Sequence, residues 1–424
     1  MKIRHAAPAL LILLAGCSST PDQDSTDLKI STTEKPVVAA KAATESEAAP
    51  DPSNFKPSAA FTLRWRRNIG NIGFSTDQST NPIVHPGQVR WRMKNDYGDM
   101  GNSILRPVVL NGSLYAANAK GKILRLKPDS GEPQWRVDSG ITITGGLGAG
   151  NGLILAGGEK GEVVAYDESG KLRWQAKVSS EVLGTPQVAG EIVVVRSGDG
   201  RIAGLNIANG KRKWLYEHAM PALVVRSSAG VTIRNGTIFA GFAGGKLAAI
   251  DLASGNLKWE AALSEPRGNT ELERISDITS APQVDNEVVC AASFQGQVGC
   301  FNVSQGGKLW AHEFSSDKGL TLSGKYLYAV NASGEVFAMS KSTGSSAWKN
   351  AQLGTLHTAA PVVLGDFLIV GEKEGYLYAL RREDGSIAAR FRTDGSPIQG
   401  ASIELNGGLL AQTRKGGLYS VTLH

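Results

Sequence analysis

From residue 107 onward, short apolar runs alternate with glycine-centred turns, and within the runs apolar and polar positions alternate. That is the pattern of half-buried strands, not of helices, whose apolar positions recur every three or four residues. One unit reads Pro107-Val108-Val109-Leu110-Asn111-Gly112, then Leu114-Tyr115-Ala116, Lys120-Gly121 and Ile123-Leu124-Arg125-Leu126, closed by Gly131 and Trp135. The same order returns from Gly152 to Trp174, from Pro186 to Trp214, through Ala249-Ile250-Asp251 to Trp259, from Pro282 to Trp310 and from Leu320 to Trp348. A seventh unit starts at Pro361 and holds Ala389 at the Trp position; an eighth starts near Ala401 and stops at Val421, one strand short.

Trp135, Trp174, Trp214, Trp259, Trp310 and Trp348 follow one another at intervals of 39, 40, 45, 51 and 38 residues. Four short strands in a unit of that length are a propeller blade. The pattern therefore predicts an all-β chain: an eight-bladed β-propeller of four-stranded antiparallel blades, its ring closed by an N-terminal strand. Trp91 lies 44 residues before Trp135, close to one unit, so Val89-Arg90-Trp91-Arg92-Met93 is the expected closing strand. The Leu63-Arg64-Trp65-Arg66 segment is a second candidate, too close to Trp91 to be a blade of its own. On this reading the propeller spans 89–424 and residues 61–88 are an extra segment of unassigned course. The tryptophans, Trp91 included, are expected to pack flat on the neighbouring blade.

Composition agrees with a turn-rich β protein, with 51 glycines and 41% apolar residues. A net charge of +6 with no run of five or six like charges gives no nucleic-acid-binding arm, and the scattered basic residues read as a solvated surface. Cys290 and Cys300 flank a turn at Gln295 and would face each other in a hairpin, as a disulfide or as buried thiols.

The N-terminus carries an address. Met1-Lys2-Ile3-Arg4 precedes an apolar run from Ala6 to Leu14, too short for a permanent span and fitted to a signal peptide over 1–16. Leu14-Ala15-Gly16-Cys17 resembles a lipobox, which implies cleavage before Cys17 and lipidation of that cysteine. Ser18, by resemblance to Gram-negative lipoproteins, favours the outer membrane, with the protein anchored on its periplasmic face. Residues 17–60 are polar, with Phe55 the one aromatic, and read as a flexible tether.

No catalytic site emerges. The six histidines include no pair at metal-ligand spacing, and neither a Gly-x-Ser-x-Gly elbow nor a phosphate loop is present. Ala249-x-Asp251-x-x-Ser254-Gly255-x-x-x-Trp259 resembles the tryptophan-docking motif of quinoprotein-type propellers. Quinone-dependent dehydrogenases of that type have adjacent cysteines, long insertions and a calcium site, none of which can be assigned here, so no cofactor and no metal are expected.

Lipobox, tether and an eight-bladed propeller with this motif together resemble the BamB family, lipoproteins of the outer-membrane β-barrel assembly machinery. Two connections carry the likeness further: Met220-Pro221-Ala222-Leu223-Val224-Val225-Arg226, and Asn269 to Thr279 in the longest inter-blade link. The resemblance implies a non-enzymatic scaffold whose two loops dock on the periplasmic domains of the barrel-inserting subunit, BamA. The contacts carry over to Leu223, Val225, Arg226, Arg274 and Asp277. Thr279 stands where a second acidic residue is frequent in the family, and Val224 is more apolar than expected there. Unfolded outer-membrane proteins are a further candidate partner, at the propeller rim. The alternatives are a quinone-dependent periplasmic dehydrogenase and a peptide- or glycan-binding lipoprotein propeller.

Overall fold

A computed structural model describes residues 51–70, 83–85, 88–90, 105–354, 356, 358–398, 400 and 402–424. The expectations for the signal peptide, for Cys17 and for most of the tether lie outside the described residues. Eight four-stranded antiparallel sheets make an eight-bladed propeller. Blades 1 to 7 span 108–138, 143–177, 187–216, 231–262, 283–313, 320–350 and 362–392. Blade 8 takes three strands from 403–423 and its fourth from Phe61–Asn68. The second strand of each blade is mostly apolar and buried, as in Ser113–Ala117 and Val288–Ala292, whereas the innermost strands are mostly half-buried. The outer strands alternate, because one face meets the next blade and the rim meets solvent.

A tryptophan in the outer strand of one blade lies on a glycine of the next. The Trp214 ring of blade 3 covers Gly255 of blade 4, where an added Cβ would fall 2.7 Å from the indole. Gly255 also has φ +75°, so the position needs glycine both for the turn and for the close approach. Asp251 shapes that turn by accepting the N–H groups of Ala253 and Ser254 at 3.1 and 3.0 Å. The indole N–H of Trp214 is satisfied by the Leu252 carbonyl at 3.0 Å. The same seat-and-bond pair recurs for Trp135, Trp174, Trp259, Trp310 and Trp348.

The closing strand is not the expected one. Phe61–Asn68 pairs antiparallel with Gly417–Leu423, from Phe61 opposite Leu423 to Asn68 opposite Gly417. Trp65, not Trp91, is the eighth blade's docking residue. It is buried, lies over Gly131 and donates to the Pro128 carbonyl at 2.7 Å. Val89 and Arg90 pair instead with Val84 and Ile83, in a two-stranded hairpin belonging to no blade sheet. Trp91 lies outside the described residues. Residues 61–68 are thus part of the ring, and the segment between them and blade 1 is an insertion that spoils a count by period.

The tether also ends earlier than expected. Phe55 packs against the cluster between blades 6 and 7, and the N–H groups of Ser58 and Ala59 donate to the Ala388 carbonyl.

Cys290 and Cys300 stand directly opposite on the middle strands of blade 5 and form a disulfide, both residues fully buried. The basic residues are scattered only in sequence. The eight outer strands carry thirteen Arg and Lys against three Asp and Glu. That excess of ten exceeds the whole chain's +6, so the remainder is net acidic.

Candidate partner-docking site

The connection from blade 3 to blade 4 leaves the outer strand Arg212–Tyr216 and reaches Val231–Arg234. Its apolar run is divided in use. Val224 is buried, whereas Leu223, Val225 and Arg226 are half-buried. Met220 tucks over Gly200 of blade 3, where a Cβ would meet its sulfur at 2.6 Å. His218 stacks on Phe242 at 4.2 Å and contacts Glu260 at 3.1 Å, fixing the start of the connection to blade 4.

The connection from blade 4 to blade 5 has an exposed tip and a buried base. At the tip, Glu273 accepts the N–H groups of Asn269 and Thr270 at 2.7 and 3.2 Å, while its own N–H donates to Thr270 Oγ1 at 3.3 Å. This reciprocal cap shapes the turn and holds the Glu273 carboxyl below its usual range. Arg274 is exposed, donates to the Gly268 carbonyl at 3.1 Å and lies 3.6 Å from Glu271. Leu272, beside it, is 55% exposed, more than any other large apolar side chain among the described residues. Sequence reasoning passed over Leu272 because a lone leucine in a polar run shows no periodicity.

Asp277 is not on the surface. It is 5% exposed, and its carboxylate joins the two connections. One oxygen accepts the Val225 N–H at 2.7 Å; the other accepts the Gly244 N–H at 3.0 Å, in the blade-4 hairpin. Gly244 has φ +66°, a left-handed turn that aims its N–H at the acid. Burial pushes the Asp277 carboxyl above its usual range, against the opposing pull of these two N–H groups and of Arg196. Arg196 reaches the Ala229 carbonyl at 3.1 Å and lies over the Phe242 ring at 5.1 Å. Leu183, Arg196, Met220, Val225, Arg226 and Asp277 help line a small cavity here, about 30 Å³. That is room for water and too little for a cofactor. Thr279 is buried too, donating to the Ser316 carbonyl at 3.2 Å. Its position is a link to blade 6, not a surface charge.

The structure thus brings the two loops together through a buried acid. It leaves Leu223, Val225 and Arg226 partly open on one loop, and Leu272 and Arg274 open on the other. The arrangement offers apolar and guanidinium contacts on a rigid base, which suits protein recognition.

Residues 119–350 match the family model described as outer membrane protein assembly factor BamB. The chain belongs to the BamB family. A BamB of Nitrosomonas eutropha is 42% identical over 334 residues, 78% of this chain and 81% of that protein. BamB of Bordetella pertussis is 37% identical over 316 residues, 74% of this chain and 82% of that one. BamB of Escherichia coli K12 is 30% identical over 331 residues, covering 76% and 84%. The crystal structure of BamB from Moraxella catarrhalis superposes with a TM-score of 0.71 at 27% identity, covering 76% of this chain and 97% of that one. A quinohemoprotein alcohol dehydrogenase from Comamonas testosteroni gives a TM-score of 0.65 at 13% identity, covering 85% of this chain and 76% of that one, a likeness of fold alone. Among the described residues no group of three His, Cys, Asp or Glu is placed to hold a metal, and no helix is long and apolar enough to cross a membrane.

Proposed function

We propose that this protein is a non-catalytic scaffold that assists the assembly of outer-membrane β-barrel proteins, docking through its two loops on the periplasmic domains of BamA. The observation that carries the reading is the Asp277 brace in a chain of the BamB family. It makes two loops that are distant in sequence into one surface. Leu223, Val225, Arg226, Leu272 and Arg274 make the contacts. Asp277 acts through the others, by holding Val225 against the blade-4 hairpin. Lipidation at Cys17 anchors the protein to the periplasmic face of the outer membrane and delivers the propeller to the machinery. The partner is held in orientation; no bond is made or broken.

The test is co-purification from membranes. Cells carrying the wild type should yield the barrel-inserting subunit with this protein. Leu223→Glu with Arg226→Glu should lose it by at least about tenfold, since truncating one buried interface anchor can cost 2 kcal/mol or more. Leu272→Glu alters a side chain that is already exposed, so it tests the second loop with little risk to folding. Circular dichroism checks each variant. If folded variants co-purify as well as the wild type, the loops are not the interface. If even the wild type brings down no barrel-inserting subunit, the docking reading fails.

A further inference from the structure

The outer strands of blades 1, 4 and 5 each balance one basic residue with one acidic residue, the other five are net basic, and one arc among those five differs in kind. Phe61–Asn68 of blade 8 and Ile387–Arg392 of blade 7 contribute Arg64, Arg66, Arg67, Arg390 and Arg392, with no acidic residue in either strand. The basic residues of these two neighbouring strands are all arginines, whose planar forks bind phosphate oxygens in pairs. Arg390 and Arg392 flank the Tyr376 ring at 5.5 and 5.6 Å, which holds them side by side. Leu63, in the same stretch, is 41% exposed. The acidic neighbours are few. Arg64 donates to the Asn406 carbonyl at 3.2 Å and lies 3.7 Å from Asp129 of blade 1, Glu132 faces Arg67, and Asp51 faces Arg390.

The chain enters the propeller at this same arc. From Asp51 it passes Phe55, seated against the cluster between blades 6 and 7, to Ser58 and Ala59 on Ala388 and then into Phe61–Asn68. A hold on the N-terminus therefore reaches the propeller through blades 7 and 8. In a ring of eight, blades 3 and 4 stand opposite, so the docking loops are left free.

We infer that the arginine arc on the outer strands of blades 7 and 8 lies against anionic phospholipid headgroups, its guanidinium groups on the lipid phosphates. The inference rests on the anchored reading for which surface faces the bilayer, whereas the charge arrangement stands without it. A basic residue near an anionic membrane surface strengthens binding roughly fivefold, an effect that salt screens. The arc supplies several such residues side by side on two neighbouring outer strands.

The experiment uses the full chain as cells process it, with Thr62→Cys on the arc or Leu257→Cys on blade 4 carrying a fluorophore. Cys290 and Cys300 are closed as a buried disulfide, and mass spectrometry of the same preparation reports whether Cys17 carries lipid. Vesicles contain a headgroup-attached quencher and either phosphatidylcholine alone or about three parts in ten phosphatidylglycerol, the anionic component on which the arc should act. On the anionic vesicles the Thr62 label should be quenched at least about threefold more than the Leu257 label. The difference should vanish on neutral vesicles, in about 0.5 M salt, and in the variant Arg64→Glu, Arg66→Glu, Arg390→Glu, Arg392→Glu. Reversing Arg212 and Lys213 of blade 3 to Glu should leave it intact.

Lipidated protein on vesicles with equally quenched labels would overturn the inference while leaving the anchor in place. A reversed variant still quenched like the wild type would also overturn it. Binding only to anionic vesicles by protein without lipid would support the arc and refute the anchor. No binding to either vesicle by unmodified protein would refute both. A protein partner lost from the reversed variant, with no quenching on vesicles, would assign the arc to an acidic protein instead.

Discussion

Seven of the eight joints between blades are made in one way and the eighth in another. At each of the seven, an indole lies on a left-handed glycine of the next blade and donates to a carbonyl there. Between blades 7 and 8 the Trp position holds Ala389, although its register opposite Ala379 matches that of Trp259 opposite Ala249. The reason lies in the closure. The turn that would carry the glycine does not exist in blade 8, because its two outer strands come from opposite ends of the chain. An indole there would have no seat. Phe391 takes over, 6.1 Å from Phe61 and 6.2 Å from Tyr419. The paired N–H and carbonyl groups of Ala60 and His424 tie the two ends. A docking residue is thus only as useful as the turn it docks on.

The largest effect expected from this contrast is at a docked joint. Trp214→Ala should cost roughly 3–5 kcal/mol in denaturant unfolding, because the cavity it leaves is floored by a turn that cannot collapse into it. Phe391→Ala should cost less, about 1–2 kcal/mol, since the ring is only partly buried. Equal losses would erase the distinction. Native-state hydrogen exchange sharpens it further. The amides of Gly417–Leu423 should open before those of the middle strands of blades 3 to 5, because no turn covalently joins the closing pair.

The smallest effect concerns the brace beneath the docking loops. Asp277→Asn keeps an oxygen for one N–H and removes the charge, so the stability change should stay within about 1–2 kcal/mol. Its sign depends on pH. Burial holds the carboxyl above its ordinary value, so ionisation is harder in the folded state than in the unfolded one. Relative to Asn, the wild type should be at its best below the ordinary carboxylate range, and lose ground as pH rises through the elevated value. Paired unfolding curves at about pH 4 and pH 8 would show this, the ordinary value being about 3.9. An advantage for the wild type that grows with pH would mean that the carboxylate is held by more than the N–H groups of Val225 and Gly244.

The blades were legible in the sequence because their physics is local. A glycine that must turn left-handed and a tryptophan a few residues later recur within each unit, so spacing alone reveals them. The closing strand was misread for the same reason. Counting by period assumes an unbroken chain, and the insertion between Asn68 and blade 1 put Trp91 at the expected distance while Trp65 did the work. In the docking loops, the apolar run at Leu223 and the length of the second connection were visible. That Asp277 lies beneath the surface was not, because its burial depends on Val225 and Gly244, 52 and 33 residues away.

The closure also imposes an order of events. A chain made from its N-terminus presents Phe61–Asn68 long before Gly417–Leu423 exists, so seven blades' worth of sequence must emerge before that strand finds its partner. Until then its N–H and C=O groups form an open edge, the kind of edge that another strand can pair with. Charged side chains along an open edge disfavour such mispairing, and Arg64, Arg66 and Arg67 lie on this one before there is a ring to close.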